Sequence, residues 1–488
     1  MVTYEFVVKL ARLLLRRFFR EVEVTGLEHV PSDRGGLVVS WHPNGIIDPA
    51  LILTHFPGQI VFGARHGLFK VPVMGTLMRA IGTIPIYRAQ DAEGGDEEAR
   101  RARNRASLDA LAQAVADGRF SALFPEGVSH DDPHFHEMKV GAARLYYRAV
   151  QLTSAGSPPP VIIPVGLHYD DKASFRSKAL VAFHPPLELD EALRSVPEDA
   201  PKELFHERCS ALTDAIEGAL IKAVHPTESW EEHRLMHRVA KLFRAERAKE
   251  FGAHVSGPDM REREVAFHRV WEGYRLRRQS DPAATAVLMA RVREYDADLN
   301  SLDLEDTELD RSPKQGSLVR ATGLVLQLIG LYVLAPPLLV LGLAVNGPPY
   351  YLVGWLANRH AKLVKDVASL KWLYGIIAYP IAWALMGALV WFGWVNLHEQ
   401  YPKHITSSAV TATLLTLVFS FVGGFLALRY TERVRETLRA IRVRLTRARS
   451  TQTIERLKQE RGALFQALST MTEGLDLPGE VGPDGRIR

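Results

Sequence analysis

Residues 37–53, LVVSWHPNGIIDPALIL, place a histidine and an aspartate on either side of a turn. An apolar run ends at His42, Pro43-Asn44-Gly45 bends the chain, and Asp48-Pro49 opens a second apolar run. An imidazole near its unperturbed pKa of roughly 6.5 takes a proton from an alcohol at neutral pH. A carboxylate on its other ring nitrogen fixes the tautomer and stabilises the cation that forms. His42 and Asp48 therefore read as a general base and its orienter. Asp48 before Pro49 also matches a helix N-cap with proline at the first helical position, and the two roles can coexist.

Three later blocks supply what such a pair would need. In Gly82–Arg88, GTIPIYR, Arg88 is a fixed cation with a planar fork of donors suited to phosphate. Its plain alternative is a solvated arginine on a charged loop. In Phe124–His130, FPEGVSH, Glu126 can accept hydrogen bonds from substrate hydroxyls, and Gly127 permits close backbone approach. The fourth block is the apolar run Val161–Val165, leading into GLHY. Asn44, in the turn, is counted with the substrate-binding residues. Lys139 and Arg144 add positive charge, or are solvated helix positions. His134 and His136 in DDPHFHE invite a metal reading, but without cysteine partners or H-E-x-x-H spacing no metal is assigned. With no serine in a G-x-S-x-G setting, direct attack by an acceptor hydroxyl is the economical chemistry.

These blocks need a scaffold that brings strand ends together. Strand-like runs fall at Glu21–Val24, Leu37–Ser40, Ile60–Gly63, Ile84–Tyr87, Phe120–Phe124, Val161–Val165 and Leu180–Phe183. Helical patterns lie between several of them, such as the stretch that stops at Gly118. Such alternation predicts an α/β domain over 21–225 with its site outside the carboxyl ends of the strands.

The 488-residue chain is too long for one ordinary core. Its single cysteine, Cys209, rules out an intramolecular disulfide framework. Residues 1–20 pattern as an amphipathic helix with a basic face, suited to a membrane surface or to packing on its own domain. Residues 226–320 read as a charged helical connector without visible chemistry. Three uncharged runs follow at 321–345, 372–397 and 405–428, each long enough to span a bilayer core. Arg359, Lys362, Lys365 and Lys371 precede the second run, and eight arginines with two glutamates fill 429–449. The positive-inside rule puts both segments on the cytoplasmic side. Pro336-Pro337 in the first run predicts a break, hence a hairpin plus two spans over 321–428; three spans are the alternative. Residues 429–488 form a basic cytoplasmic tail.

In order and placement, the four blocks resemble the glycerolipid acyltransferases of the lysophosphatidate acyltransferase type. That family carries a His…Asp pair, a G-x-(I/F)-x-x-x-R block, an F-P-E-G block and a V-P-V-like strand, and the likeness covers about residues 20–225. The usual pair has four intervening residues, whereas His42 and Asp48 have five between them. The longer His-Pro-Asn form is similar to the fungal-type glycerol-3-phosphate/dihydroxyacetone-phosphate acyltransferases, as are LFKVPVMGTLMRAIGTIPIYR, FPEGVSHDDP, KVGAAR and FRSKALVAF. Val128 departs from the threonine usual after F-P-E-G.

The resemblance implies a sheet-centred acyltransferase domain followed by a helical connector and a C-terminal transmembrane region. It implies acyl transfer from acyl-CoA or acyl-carrier protein to the sn-1 hydroxyl of glycerol 3-phosphate, or to dihydroxyacetone phosphate, in phospholipid biosynthesis. His42 would deprotonate the acceptor, Asp48 orient His42, Arg88 hold the phosphate, and Glu126 with Gly127 shape the acceptor site. Membrane lipids are the expected partners, with no nucleic acid, no metal and no cofactor beyond the thioester. A lysophospholipid acceptor such as lysophosphatidate, or a non-catalytic membrane scaffold, are the competing readings. Alanine- and arginine-rich usage without a retention signal points to a bacterial inner membrane over an endoplasmic reticulum.

Overall fold

The seven apolar runs form one seven-stranded sheet in the computed structural model. It describes residues 3–71, 74–87, 97–250, 257–310, 323, 326, 328–361, 363–400, 408–482 and 485–487. The strands are β1 (Glu21–Thr25), β2 (Gly36–Ser40), β3 (Ile60–Arg65), β4 (Ile84–Ile86), β5 (Phe120–Leu123), β6 (Val161–Tyr169) and β7 (Lys178–Phe183). Their order is β1-β7-β6-β2-β5-β3-β4. Parallel pairing runs from β6 through β2, β5 and β3 to β4, with Val38 opposite both Ala122 and Ile163. β7 is antiparallel to β6, and β1 follows β7. Five carboxyl ends thus share one edge of the sheet, where side chains from several strands can converge on one site.

Every residue of β2 is buried, which is why GLVVS carries no polar alternation until its end. The helices of this domain are α1 (Tyr4–Phe18), α2 (Ile47–His55), α3 (Met74–Ala80), α4 (Glu97–Ala116), α5 (Gly141–Leu152), α6 (Glu191–Arg194) and α7 (Lys202–Val224). On one face Leu37 and Val39 join a core with Leu111 and Val115 of α4, Ala143 and Tyr146 of α5, and Leu212 and Ile216 of α7. On the other, Phe56 after α2 sets its ring against Phe120 and Phe183. α1 packs on α2 and α3, burying Val7, Ala11, Leu15 and Phe18. Arg12 also reaches the Thr54 carbonyl through Nε at 3.1 Å. One face of this helix therefore packs on its own domain, while Phe6 and Leu13 on another stay exposed.

Two compact units divide the chain: residues 1–234, 257–268 and 362–369 in the first, and 235–256, 269–361 and 370–488 in the second. The division cuts through α8 (Trp230–Glu250) and α9 (Met260–Ser280), inside the charged connector. In the first unit Glu264 bridges His168 and His225, accepting from their Nδ1 atoms at 2.9 and 2.8 Å.

The second unit is helical. Parts of α8, α10 (Pro282–Ser301) and the short α11 (Asp306–Leu309) enclose a core with the C-terminal helix that includes Leu242, Val292, Tyr295, Leu457 and Leu464. The apolar runs become α12 (Ala335–His360), α13 (Val364–Gln400) and α14 (Ala409–Arg449), and the C-terminal helix is α15 (Thr451–Thr472). Pro336 and Pro337 follow directly on a π-helical turn, Gly330–Leu334, so the proline pair sits within a continuing helix, which also runs past Pro348 and Pro349. α12 and α14 approach closely where Gly342 meets Gly423. Beside them Asn346 donates Nδ2 to the Gly342 and Ser420 carbonyls, both at 2.9 Å. Small residues with an interhelical amide are the usual means of joining helices in lipid. α13 and α14 are long and apolar enough to cross a membrane, with 6% and 11% of their most apolar windows buried. Together they associate the chain with a membrane.

Candidate active site

β2 ends at Ser40, and Trp41 anchors the exit by donating Nε1–H to the Leu167 carbonyl at 2.9 Å. A tight turn follows: the Ile47 N–H donates to the Asn44 carbonyl at 2.9 Å, and Gly45 takes φ +42°, a conformation that a Cβ would strain. That turn absorbs the five residues between His42 and Asp48. α2 then begins at Ile47 with Ile46 as its cap residue, so Asp48 is the second helical residue and not the N-cap.

Freed from capping, the Asp48 carboxylate serves the turn. Its Oδ2 accepts from His42 Nδ1 at 2.8 Å and from the Asn44 N–H at 2.7 Å. Its Oδ1 accepts from the Tyr169 hydroxyl. Asp48 is fully buried, which a carboxylate tolerates only when hydrogen-bonded in this way, and the His42 side chain is 17% exposed. The His42 ring lies on Phe124 with centroids 4.0 Å apart and planes 12° from parallel. With Nδ1 engaged, Nε2 is the atom that can face an acceptor; no described residue hydrogen-bonds it.

The loop after β5 brings Glu126 to the same edge. Glu126 is 2% exposed, and its Oε2 accepts from His130 Nε2 at 2.5 Å and from the His136 N–H at 2.8 Å. Among the described residues its Oε1 has no hydrogen-bond partner and is buried. The His130 N–H donates to the His42 carbonyl at 3.2 Å, which ties this loop to the histidine itself. Gly127 has φ +69°. Arg88 lies outside the described residues. Tyr87 before it is clasped by Asn104 of α4, whose Oδ1 accepts from the Tyr87 N–H at 2.9 Å and whose Nδ2 donates to the Tyr87 carbonyl at 2.7 Å.

Residues 21–168 match the family model described as Acyltransferase. This stretch of the chain is thus similar to an acyltransferase domain. Residues 263–477 match a second model, the Glycerol-3-phosphate acyltransferase 2 C-terminal domain. Glycerol-3-phosphate O-acyltransferase 2 of Saccharomyces cerevisiae is 31% identical over 96 residues, 19% of this chain and 12% of that protein. Glycerol-3-phosphate O-acyltransferase 1 of the same yeast is 23% identical over 335 residues, 64% of this chain and 42% of that protein. The matched region thus spans less than half the length of either yeast relative. The crystal structure of a 1-acyl-sn-glycerophosphate acyltransferase from Thermotoga maritima aligns with 44% of this chain and 79% of its own at 19% identity and a TM-score of 0.31.

Within the acyltransferase domain the remaining expected residues divide. Asn44 is wholly buried and donates Nδ2 to the Lys172 carbonyl at 3.1 Å, so it shapes the turn from within. Lys139 turns its ammonium to Glu137 at the surface, 2.5 Å away, while its N–H donates to the Pro125 carbonyl at 2.9 Å. Arg144 is exposed on α5. Its charge is felt by the Cys209 thiol, whose pKa burial raises and Arg144 partly lowers. Of the histidines weighed as metal ligands, His136 gathers with His130 and Asp132, each offering a ligand atom within 4.8 Å of the others. Within the cluster His136 Nε2 bonds to Asp132 at 2.8 Å and His130 Nε2 to Glu126, while His130 Nδ1 is buried with no hydrogen-bond partner among the described residues.

Two groups that hold the pair, Tyr169 and the Phe124 ring, had no role in the sequence reading. Tyr169 ends GLHY at the carboxyl end of β6, the strand next to β2. That position is the signal that could have found it.

Proposed function

We propose that the chain is an O-acyltransferase that moves a fatty acyl group from an acyl thioester to the sn-1 hydroxyl of glycerol 3-phosphate, or to the hydroxyl of dihydroxyacetone phosphate. The observation that carries this reading is the His42–Asp48 contact of 2.8 Å, with His42 Nε2 left for an acceptor. Nε2 takes the acceptor's proton as its oxygen attacks the thioester carbonyl. The tetrahedral intermediate collapses, the C–S bond breaks, and the proton passes from His42 to the leaving thiolate. Asp48 holds the ring and stabilises its cation. Arg88 binds the phosphate, and Glu126 Oε1, buried without a partner among the described residues, accepts from an acceptor hydroxyl above Gly127. The reaction balances without a further cofactor. Both yeast relatives are named as glycerol-3-phosphate O-acyltransferases, which supports this acceptor.

Lys365 of the basic segment before the second apolar run contacts the catalytic domain. This supports putting that domain on the side the positive-inside rule gives to the segment, the cytoplasmic one. Residue usage supports a bacterial inner membrane.

The test is purified full-length protein in detergent with labelled acyl-CoA and each acceptor in turn. Glycerol 3-phosphate should be acylated. Acylation of lysophosphatidate alone would overturn the acceptor assignment. Folded protein that acylates nothing would favour a scaffold.

A further inference from the structure

Residues 363–369, the first turns of α13 and the residue before it, belong to the same compact unit as the catalytic loops and touch two of them. Ser369, 8% exposed, accepts through Oγ from the Ile46 N–H at 3.0 Å. Ile46 is the cap residue of α2, and no side chain of its own caps that end. A helix start leaves its first N–H groups without acceptors, so Ser369 supplies a cap from 323 residues away. Gly45 leaves the space: a Cβ on it would sit 2.7 Å from Ser369 Oγ.

One turn earlier on the same helix face, Lys365 addresses the other loop. Its N–H donates to Asp131 Oδ2 at 2.9 Å, and its ammonium donates to the Ser129 carbonyl. Asp131 is a junction. Its Oδ1 pairs with Lys172 Nζ at 2.6 Å, and its carbonyl accepts from Trp230 Nε1–H at 2.7 Å. The Lys172 carbonyl in turn holds Asn44. One helix face therefore grips both the turn that carries His42 and Asp48 and the loop that carries Glu126 and His130.

We propose that Ser369 and Lys365 are positioning residues for acyl transfer, Ser369 through the Ile46 turn and Lys365 through the Glu126 loop. Residues 363–369, in the same compact unit as the catalytic loops, would then help complete the site. The proposal rests on the acyltransferase reading above. Neither residue touches the reacting atoms in this scheme; each fixes a loop that does.

The test uses full-length protein in detergent. Ser369→Ala should lower kcat about tenfold and change KM for glycerol 3-phosphate less than about twofold, because a misplaced base costs rate rather than binding. Ser369→Thr, which keeps the hydroxyl, should restore most of the rate. A readout independent of turnover is the pH profile of His42 carbethoxylation by diethyl pyrocarbonate, followed on the His42 peptide by mass spectrometry. Ser369→Ala should speed that labelling and shift its midpoint. Lys365→Met should raise KM about threefold or more by loosening the Glu126 loop. Unchanged kcat with unchanged His42 labelling overturns the role of Ser369. So does a loss of rate that tracks loss of folded protein and is not rescued by threonine. Unchanged KM in Lys365→Met overturns the role of Lys365. Wild-type protein that acylates nothing overturns the enzyme reading, while His42 labelling still decides whether Ser369 sets the pair.

Discussion

Tyr169 donates its hydroxyl hydrogen to Oδ1 of Asp48, while His42 takes Oδ2 of the same carboxylate. The carboxylate is thus held from the ends of two neighbouring strands. Burial, and then the negative charge of Asp48, push the Tyr169 pKa well above that of a free phenol, so it remains a donor at neutral pH. Tyr169→Phe strips one donor from a fully buried carboxylate while keeping the ring. Leaving such a group short of a partner costs about 1–3 kcal/mol, so the thermal midpoint should fall. kcat should drop about tenfold with KM little changed. A kcat equal to wild type would show that His42 and Asn44 suffice to orient Asp48.

His42→Gln keeps an amide within reach of Asp48 but cannot cycle a proton. General-base catalysis contributes roughly a hundred- to ten-thousandfold, so turnover should fall at least about a hundredfold in protein that still folds and partitions to the membrane. Turnover above roughly a tenth of wild type would move the base elsewhere. His130 would be the next group to test, since its backbone is bonded to His42.

The central strands were legible because strands buried on both faces, such as β2, demand unbroken apolar runs, while β1, EVEVT, is only half-buried and was signalled by alternation. His42 was legible for a related reason: a polar side chain directly after such a run lies at the sheet edge. The role of Asp48 was only half legible. N-cap and second helical residue differ by where the turn closes, and that depends on Gly45 and the Ile47–Asn44 hydrogen bond. Tyr169, 121 residues from Asp48, was signalled only by its place at the end of the strand beside β2, and Ser369 was not legible, for it reaches the site from 323 residues away and no local pattern encodes a partner at that distance. Glu126 was recognised, but half of its carboxylate is claimed by His130 and the His136 backbone. Pro336-Pro337 shows the limit of composition: a proline pair is expected to break a helix, yet here a π-helical turn leads into it and the helix goes on, a local adjustment that composition does not record.

Arg88 follows a residue whose main chain Asn104 holds by two hydrogen bonds. Charged hydrogen bonds to an acceptor phosphate contribute about 1.5–3 kcal/mol, so Arg88→Ala should raise KM for glycerol 3-phosphate roughly ten- to hundredfold. The sharper readout is discrimination. Glycerol, which lacks the phosphate, should be used no worse by the variant than by wild type, so the preference between the two acceptors collapses. A preserved preference would place the phosphate elsewhere.

The histidines around Glu264 make the first unit acid-sensitive. Burial, reinforced by neighbouring histidines, lowers the pKa of His184 from 6.5 to about 4. Burial likewise lowers His233 from 6.5 to about 4. Between those values the unfolded chain binds more protons than the folded one, so stability falls as pH drops from 6.5 to 4 and is flat above. Glu264 acts lower still. Burial alone would raise its pKa, but His168 and His225 outweigh it and hold it well below the usual range. Its contribution is complete above its ordinary value of 4.5 and is lost as pH falls through the depressed one. Thermal midpoints measured in detergent between pH 8 and 4 should decline from about 6.5 downward, and His184→Leu should flatten part of that slope. A midpoint that is level down to pH 4, or a slope His184→Leu leaves intact, would refute the assignment.

The second unit depends on a different device, an arginine buried among helices. Arg461 is 0% exposed and donates to Glu246 Oε1, Asp310 Oδ2 and the Asp306 carbonyl, each at 2.6 Å. Asp306 also accepts from Arg238 and from the Tyr295 hydroxyl, both at 2.7 Å. Arg461→Met fills much of the volume but leaves Glu246 and Asp310 without their cation beside Leu242, Leu457 and Leu464. Breaking a buried ion pair from one side costs about 3–5 kcal/mol, whereas replacing the whole set by apolar residues is often neutral. Hydrogen exchange should therefore quicken in α15 and α10 of Arg461→Met while β2 and β5 keep their protection. The triple variant Arg461→Met, Glu246→Leu, Asp310→Leu should recover most of the loss. If the single variant exchanges as slowly as wild type, the cluster is incidental to stability. If the triple variant is worse than the single one, Glu246 and Asp310 contribute apart from their pairing with Arg461 and the ion-pair account fails.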